Sequence, residues 1–194
     1  MRKSRYTISS LTNPTNIANA LTSMKNEKVN STLVSNYVQH IIDSFLISMA
    51  KRYDVKGKTY FKYPNKYYYT DIGLRNARLN YRQYDPGHIM ENIVYNELLR
   101  RGYSVDVGVV TDRTGGANTQ KGIDFVVNDA DKKIYIQSAF QMDADKKESS
   151  ELASLYPFLS LRSGTKRYEN GCLSLLFLYN SSCRELGILQ ITGR

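Results

Sequence analysis

The sequence predicts an α/β (α+β) chain. A winged helix-turn-helix is expected over residues 1–70, a connecting helix and loop over 71–85, and a mixed sheet flanked by helices over 86–194. Three observations carry this reading. Helical periodicity gives way to alternation after about residue 45, with a cationic turn at Lys56-Gly57-Lys58. The second half reads in the order α-β-β-β-α-β, which implies a mixed sheet with helices packed on it. Charge follows the same division: residues 1–85 hold 14 Lys+Arg against 5 Asp+Glu, whereas residues 86–194 hold 13 of each.

The first helix is expected from Asn13 to Met24. Asn13 suits the N-cap and Pro14 the first helical position, and Ile17, Leu21 and Met24 form an apolar stripe. A second helix follows from about Thr32 to Ser44. Val34, Val38, Ile41 and Ile42 are expected to face inward, with Thr32, Ser35, Asn36, Gln39 and His40 opposite. Phe45 begins β structure. Arg52 to Lys62 reads as a hairpin whose Gly57 supplies a positive φ, and Lys66–Thr70 as a further strand. Helix, turn, helix and cationic hairpin make the winged pattern, in which the second helix is the recognition helix and Lys56 to Lys58 the wing. Few residues precede Asn13, so this domain is expected to be cut short at its N-terminus.

Asp71 to Leu79 reads as a short helix and Tyr81 to Gly87 as a loop. The helix 88–101 ends at Gly102, a residue suited to the left-handed C-cap. Strands are expected at 103–110, 122–127 and 133–140, a helix at 143–155, a buried strand at 173–179 and a short last strand at 187–191.

Glu91 lies near the start of the helix 88–101, Asp124 in one strand and Gln137 in the next. If the strands 122–128 and 133–140 pair, Asp124 and Gln137 share an edge and Glu91 reaches over them. Hard cations take oxygen ligands, so magnesium is the cofactor that Glu91 and Asp124 would hold. A metal nuclease of the PD-(D/E)xK type would show Glu-x-Lys in the second strand, and this chain has Gln137-Ser138-Ala139. Gln137 brings no charge and Ala139 no cation, leaving Lys121 or Lys133 as the substitutes at hand. Glu91, Asp124 and Gln137 are thus vestigial catalytic candidates. Their structural readings are a helix-start acid favoured by the dipole and a residue capping a turn.

Other chemistries find no support. His40 and His88 are the only histidines and fall in different halves, with no Cys/His cluster of zinc spacing. No G-x-x-x-x-G-K-[ST] segment occurs. Two cysteines make a disulfide framework unlike this chain and point to a reducing, intracellular compartment. No apolar run approaches the ~20 residues that span a membrane. The basic first half suits a phosphate backbone, with Asn36, Gln39 and His40 on the second helix and Lys56 and Lys58 on the hairpin as the DNA contacts. Ten of the sixteen tyrosines precede residue 86, interleaved with lysines. That suits nucleic acid, but Tyr is also an ordinary strand residue.

The segments Arg52–Lys58, Lys66–Ala77, Gly87–Tyr103, Ile123–Val126 and Ile134–Gln137 resemble the C-terminal part of a family of prokaryotic AAA-type ATPases. The resemblance covers roughly residues 14–142 and weakens beyond about Glu148, where Leu155-Tyr156-Pro157 echoes a family strand. It implies a winged helix followed by a domain similar to the PD-(D/E)xK restriction-endonuclease fold, prokaryotic cytoplasm, and a P-loop ATPase domain as partner. Glu91 and Asp124 match the family's acidic positions, whereas Gln137 and Ala139 depart from its Glu and Lys. The expectation is a DNA-binding module without catalysis of its own. The alternatives are an active magnesium-dependent nuclease, or a protein-interaction module docking the ATPase domain.

Overall fold

A computed structural model of the chain describes residues 10–82, 85–112, 119–129, 132–139, 173–180 and 183–193. Among them are four helices, α1 (Pro14–Lys25), α2 (Ser31–Asp43), α3 (Ile72–Arg78) and α4 (Pro86–Arg100). Seven strands accompany them: β1 (Ile47–Asp54), β2 (Thr59–Tyr69), β3 (Ser104–Asp112), β4 (Thr119–Asp129), β5 (Lys132–Ala139), β6 (Leu173–Asn180) and β7 (Cys183–Gly193). The strands form one sheet in the order β2-β1-β3-β4-β5-β7-β6. β1 runs parallel to β3, and the pairings from β3 through β4, β5 and β7 to β6 are antiparallel. The α+β class with a mixed sheet therefore holds. The helix expected at 143–155 lies outside the described residues.

Residues cluster into two compact units, Met1–Lys51 with Lys62–Asn96, and Arg52–Phe61 with Glu97–Arg194. This division cuts across the expected one at 71–85. The reason is the hairpin. A wing would stand apart, but Arg52, Tyr53 and Asp54 pair in parallel with Val107, Gly108 and Val109 of β3, and the Val55 amide continues the ladder to the Val109 carbonyl. The hairpin's tip half thus belongs to the second unit.

In the first unit the helix ends follow local side chains. Asn13 accepts from the Asn16 amide at 2.7 Å, and Asn26 closes α1 at φ 55. Asn30 accepts from the Thr32 amide at 2.8 Å, which starts α2 one residue earlier than expected. Phe45, expected in a strand, instead turns the chain at φ 58, and β1 begins at Ile47. Asp71 caps α3 through the Gly73 and Leu74 amides. Asp85 accepts from the His88 amide and from its Nδ1 at the start of α4. Ala18 and Val34 are buried between α1 and α2, and Tyr68, Met90, Val94 and Tyr95 are buried around β2 and α4.

In the second unit β3 and β4 are covered on both faces, which is why they read as valine-rich runs. Val105, Val107, Val109, Val110, Ile123, Phe125, Val126 and Val127 are all buried. The β3–β4 register slips between Asp106 and Gly108, where two steps on β3 oppose three on β4, from Ile123 to Val126. Asp124 and Phe125 lie inside this bulge, a feature that re-aims side chains locally. Gly108 makes it possible: a Cβ there would stand 2.8 Å from both Ile123 Cβ and Val126 Cγ2. At the hairpin tip the expected positive φ belongs to Lys58 (φ 52), not Gly57. Gly57 is small for a different reason, since its Cβ would meet Asp54 Oδ2 at 2.8 Å. The same carboxylate accepts from the Lys56 amide.

Gly108→Ala is expected to destabilise the chain by about 1–3 kcal/mol, the usual cost of overpacking a filled core. Urea unfolding followed by circular dichroism measures it, and an unchanged midpoint would refute the tight approach at the bulge.

Candidate functional site

Glu91 is the best-defined carboxylate of the first unit, and the protein itself engages it. Its Oε1 accepts from Lys66 Nζ at 2.8 Å and from the Tyr68 hydroxyl at 2.7 Å. The side chains of Lys66 and Glu91 are 13% and 11% exposed, so this is a buried ion pair rather than a helix-start acid answering the dipole. Tyr68 is held in turn by stacking on Tyr95, with centroids 4.0 Å apart. One residue on, Asn92 takes the place of a strand. It accepts from the Tyr69 amide at 2.8 Å and donates to the Tyr69 carbonyl at 2.7 Å. Asn96, one turn later, donates to the carbonyls of Tyr69 and Thr70. Lys66, Tyr68, Asn92 and Asn96 were not singled out from sequence. The signal for Asn92 and Asn96 is the recurrence of polar residues, with Glu91, on α4.

Asp124 belongs to the second unit. Its Oδ2 accepts from the Ser138 amide at 2.9 Å and the Ser138 hydroxyl at 2.8 Å. Gln137 faces the same residue but turns its Oε1 to the Asp124 amide at 3.2 Å. The structure thus brings Asp124 and Gln137 together across the β4–β5 hairpin, as expected. Glu91 falls in the other unit, so the three do not gather within one. Among the described residues, no three His, Cys, Asp or Glu side chains are placed to hold a metal ion.

Ala139 pairs with Gly187 in the β5–β7 ladder, and Lys121 pairs with Val110. Lys133 does not stand in for the missing lysine. It pairs with Asn128 in the β4–β5 register, four steps from Gln137, which at strand rise is about 13 Å along β5. Its Nζ donates to the Tyr53 hydroxyl at 2.7 Å and lies 4.0 Å from that ring's centroid.

Lys133 thereby anchors a row of polar and aromatic groups in the second unit. The Tyr53 and Tyr60 rings meet at 5.1 Å. The Tyr60 hydroxyl donates to Asp106 Oδ2 at 2.8 Å, and Asn128 Nδ2 donates to the same oxygen. Burial, then the bond to Asp106 and its negative charge, push the Tyr60 phenol up to about 12. Tyr53 is buried, whereas Tyr60 keeps 55% of its surface exposed.

The expected DNA-contact residues are all placed. Asn36, Gln39 and His40 are exposed on α2, with Gln39 Nε2 donating to Asp43 Oδ1 at 2.8 Å. Lys58 is exposed at the hairpin tip and Lys56 half-buried beside it. Ile41, expected inward, is 39% exposed. With successive residues about 100° apart, Leu33, Tyr37 and Ile41 share one side of the helix. This stripe lies between the buried Val34 side and the polar side carrying Asn36 and Gln39. Tyr37 is 60% and Phe45 82% exposed.

No family model matches the chain, and no solved structure matches it. It is similar to an uncharacterised protein of Haemophilus influenzae, 39% identical over 145 residues, or 75% of this chain and 34% of that protein. It is also similar to an uncharacterised protein of Methanocaldococcus jannaschii, 29% identical over 132 residues, or 68% of this chain and 28% of that protein. The chain spans about a third or less of the length of these relatives. Among the described residues, no helix is long and apolar enough to cross a membrane.

Two measurements test this geometry. Glu91→Ala should cost about 3–5 kcal/mol, because it leaves Lys66 buried without its counter-charge. Replacing both partners by apolar residues, Lys66→Met with Glu91→Leu, should cost much less. Urea unfolding of the variants decides, and a harmless Glu91→Ala would refute the ion pair. For Tyr60, the folded phenol binds its proton more tightly than the unfolded one, with its ordinary value of 10.0. The unfolded state therefore loses its proton first, and stability contributed below pH 10.0 is lost as pH rises toward about 12. In Tyr60→Phe that part of the alkaline loss should vanish, which unfolding curves over this pH range will reveal.

Proposed function

We propose that the chain is a non-catalytic DNA-binding module of the prokaryotic cytoplasm, related in kind to the C-terminal part of AAA-type ATPases. In that family a P-loop ATPase domain is the partner. The observation that carries the reading is the excess of nine positive charges within residues 1–85, against an even balance in the rest. Lys51, Lys58 and Lys62 are exposed on or beside the β1–β2 hairpin, where a phosphate backbone can displace counterions. The order of α1, α2 and hairpin keeps a helix-turn-helix sequence of elements, with the wing merged into the sheet. The sheet with α4 stands for the degenerate nuclease-like part. Its two acids accept hydrogen bonds from Lys66, Tyr68 and Ser138, which supports a non-catalytic role for them.

Replacing Lys56 and Lys58 together by Ala should weaken duplex DNA binding without changing sequence preference. The slope of log affinity against log salt should flatten by about two, one for each lysine. Fluorescence anisotropy at several salt concentrations measures both, and no binding by the intact chain at low salt sinks the reading. The same protein should leave supercoiled and linear DNA uncut with magnesium or manganese. Cleavage that disappears in Asp124→Ala would establish an active nuclease instead.

A second reading concerns α2 alone. The exposed stripe of Leu33, Tyr37 and Ile41 beside Asn36 and His40 favours protein docking by this helix over insertion into a DNA groove.

A further inference from the structure

Three aromatic rings lie in the part of the β1–β2 hairpin that belongs to the second unit, and the chain's own cations engage two of them. Tyr53 is buried, with Lys133 Nζ 4.0 Å from its centroid. Phe61 is half-buried and carries the Arg52 guanidinium 5.1 Å from its centroid. Arg52 is held in turn by Gln120, whose Oε1 accepts from its Nη2 at 2.8 Å. Tyr60 differs. It stays 55% exposed, although its hydroxyl is fixed to the buried Asp106 and its ring abuts Tyr53. A ring held at its hydroxyl and along one side loses little freedom when a ligand stacks on the rest. We propose that Tyr60 is a stacking platform for an unpaired DNA base, with Lys58 and Lys56 holding the adjoining phosphates. The inference rests on the DNA-binding reading of the hairpin and specifies the form of DNA it takes.

Charge selects a nucleic acid as the occupant. Residues 51–62 carry Lys51, Arg52, Lys56, Lys58 and Lys62 against Asp54 alone, and Asp54 is engaged within the turn by the Lys56 amide. Lys58 is exposed two residues before Tyr60, a separation of at most about 7 Å along the chain. A lysine stem covers that distance, so a base resting on the ring has its phosphate within reach of an ammonium. The ring then selects unpaired DNA over duplex. In a duplex the base faces are hidden in the stack, and the surface offers phosphates, sugars and base edges. An unpaired base presents its π-face, and base–aromatic stacking beside a cationic groove is how single strands are held without regard to sequence. Asp106 completes the device, because a hydroxyl already bonded to a buried carboxylate fixes the ring's position before any base arrives.

Fluorescence anisotropy of the full chain with labelled oligo(dT), and with a duplex of the same length, tests this. Tyr60→Ala should weaken oligo(dT) binding by roughly 5- to 150-fold, the loss of one stacked base, and change duplex binding by less than about twofold. Tyr60→Phe keeps the ring and should lose far less. Lys56→Ala with Lys58→Ala should weaken both ligands, since both present phosphates. A measurement on the unaltered chain guards against a variant that fails to fold: photocrosslinking to oligo(dT) carrying bromodeoxyuridine, followed by peptide mapping, should mark Tyr60. A chain that binds the duplex but not oligo(dT) overturns the proposal and leaves the DNA-binding reading standing. So does oligo(dT) binding that ignores Tyr60→Ala, or a cross-link found only at other residues. Binding of neither ligand at low salt removes the DNA-binding reading and this inference together.

Discussion

The buried pair of Lys66 and Glu91 fixes how β2 and α4 of the first unit fit each other. A carboxylate buried in α4 is tolerable only with a counter-charge and donors at hand. Lys66 supplies the charge and Tyr68 a second donor, both from β2. Asn92 and Asn96 then fasten the end of β2 to the same helix by its backbone. Strand and helix are matched polar group by polar group, so neither element can slide along the other without orphaning a buried atom. That matching accounts physically for the two most distinctive segments of the chain, Lys66–Thr70 and Gly87–Tyr103.

Much of the fold was legible because local chemistry decided it. Asn13, Asp71 and Gly102 mark helix ends through side-chain caps and a left-handed φ, both readable one residue at a time. β3 and β4 were readable as strands, but burial of both their faces was not, since the segment 103–110 reads as an alternating strand. The hairpin's membership of the sheet was not legible, because parallel pairing of β1 with β3 joins residues far apart in sequence and leaves no local mark. Gly57 and Lys58 exchanged roles for a related reason. The left-handed residue was inferred from which side chain tolerates it, whereas the structure places it at Lys58 and leaves Gly57 where a Cβ would meet Asp54.

The candidate site divides in the same way. The opposition of Asp124 and Gln137 followed from hairpin register and was readable. The tasks of Lys66 and Lys133 were not, since a lysine in a strand gives no sign whether it faces water, a carboxylate or a tyrosine ring. The outward side of α2 escaped for a subtler reason. Periodicity identifies an apolar arc but not how much of it the neighbouring helix covers.

The two compact units are interleaved along the chain rather than consecutive. The path leaves the first unit within β1, returns within β2 and leaves again within α4. The first unit therefore lacks an essential piece until about residue 96 exists. A fragment ending near residue 70 would carry β1 without the strand it parallels, leaving an unpaired edge open to aggregation. One beginning near residue 86 would carry β3 with the same vacancy on the other side. Dissection at the loop that sequence most invites would break both units at once.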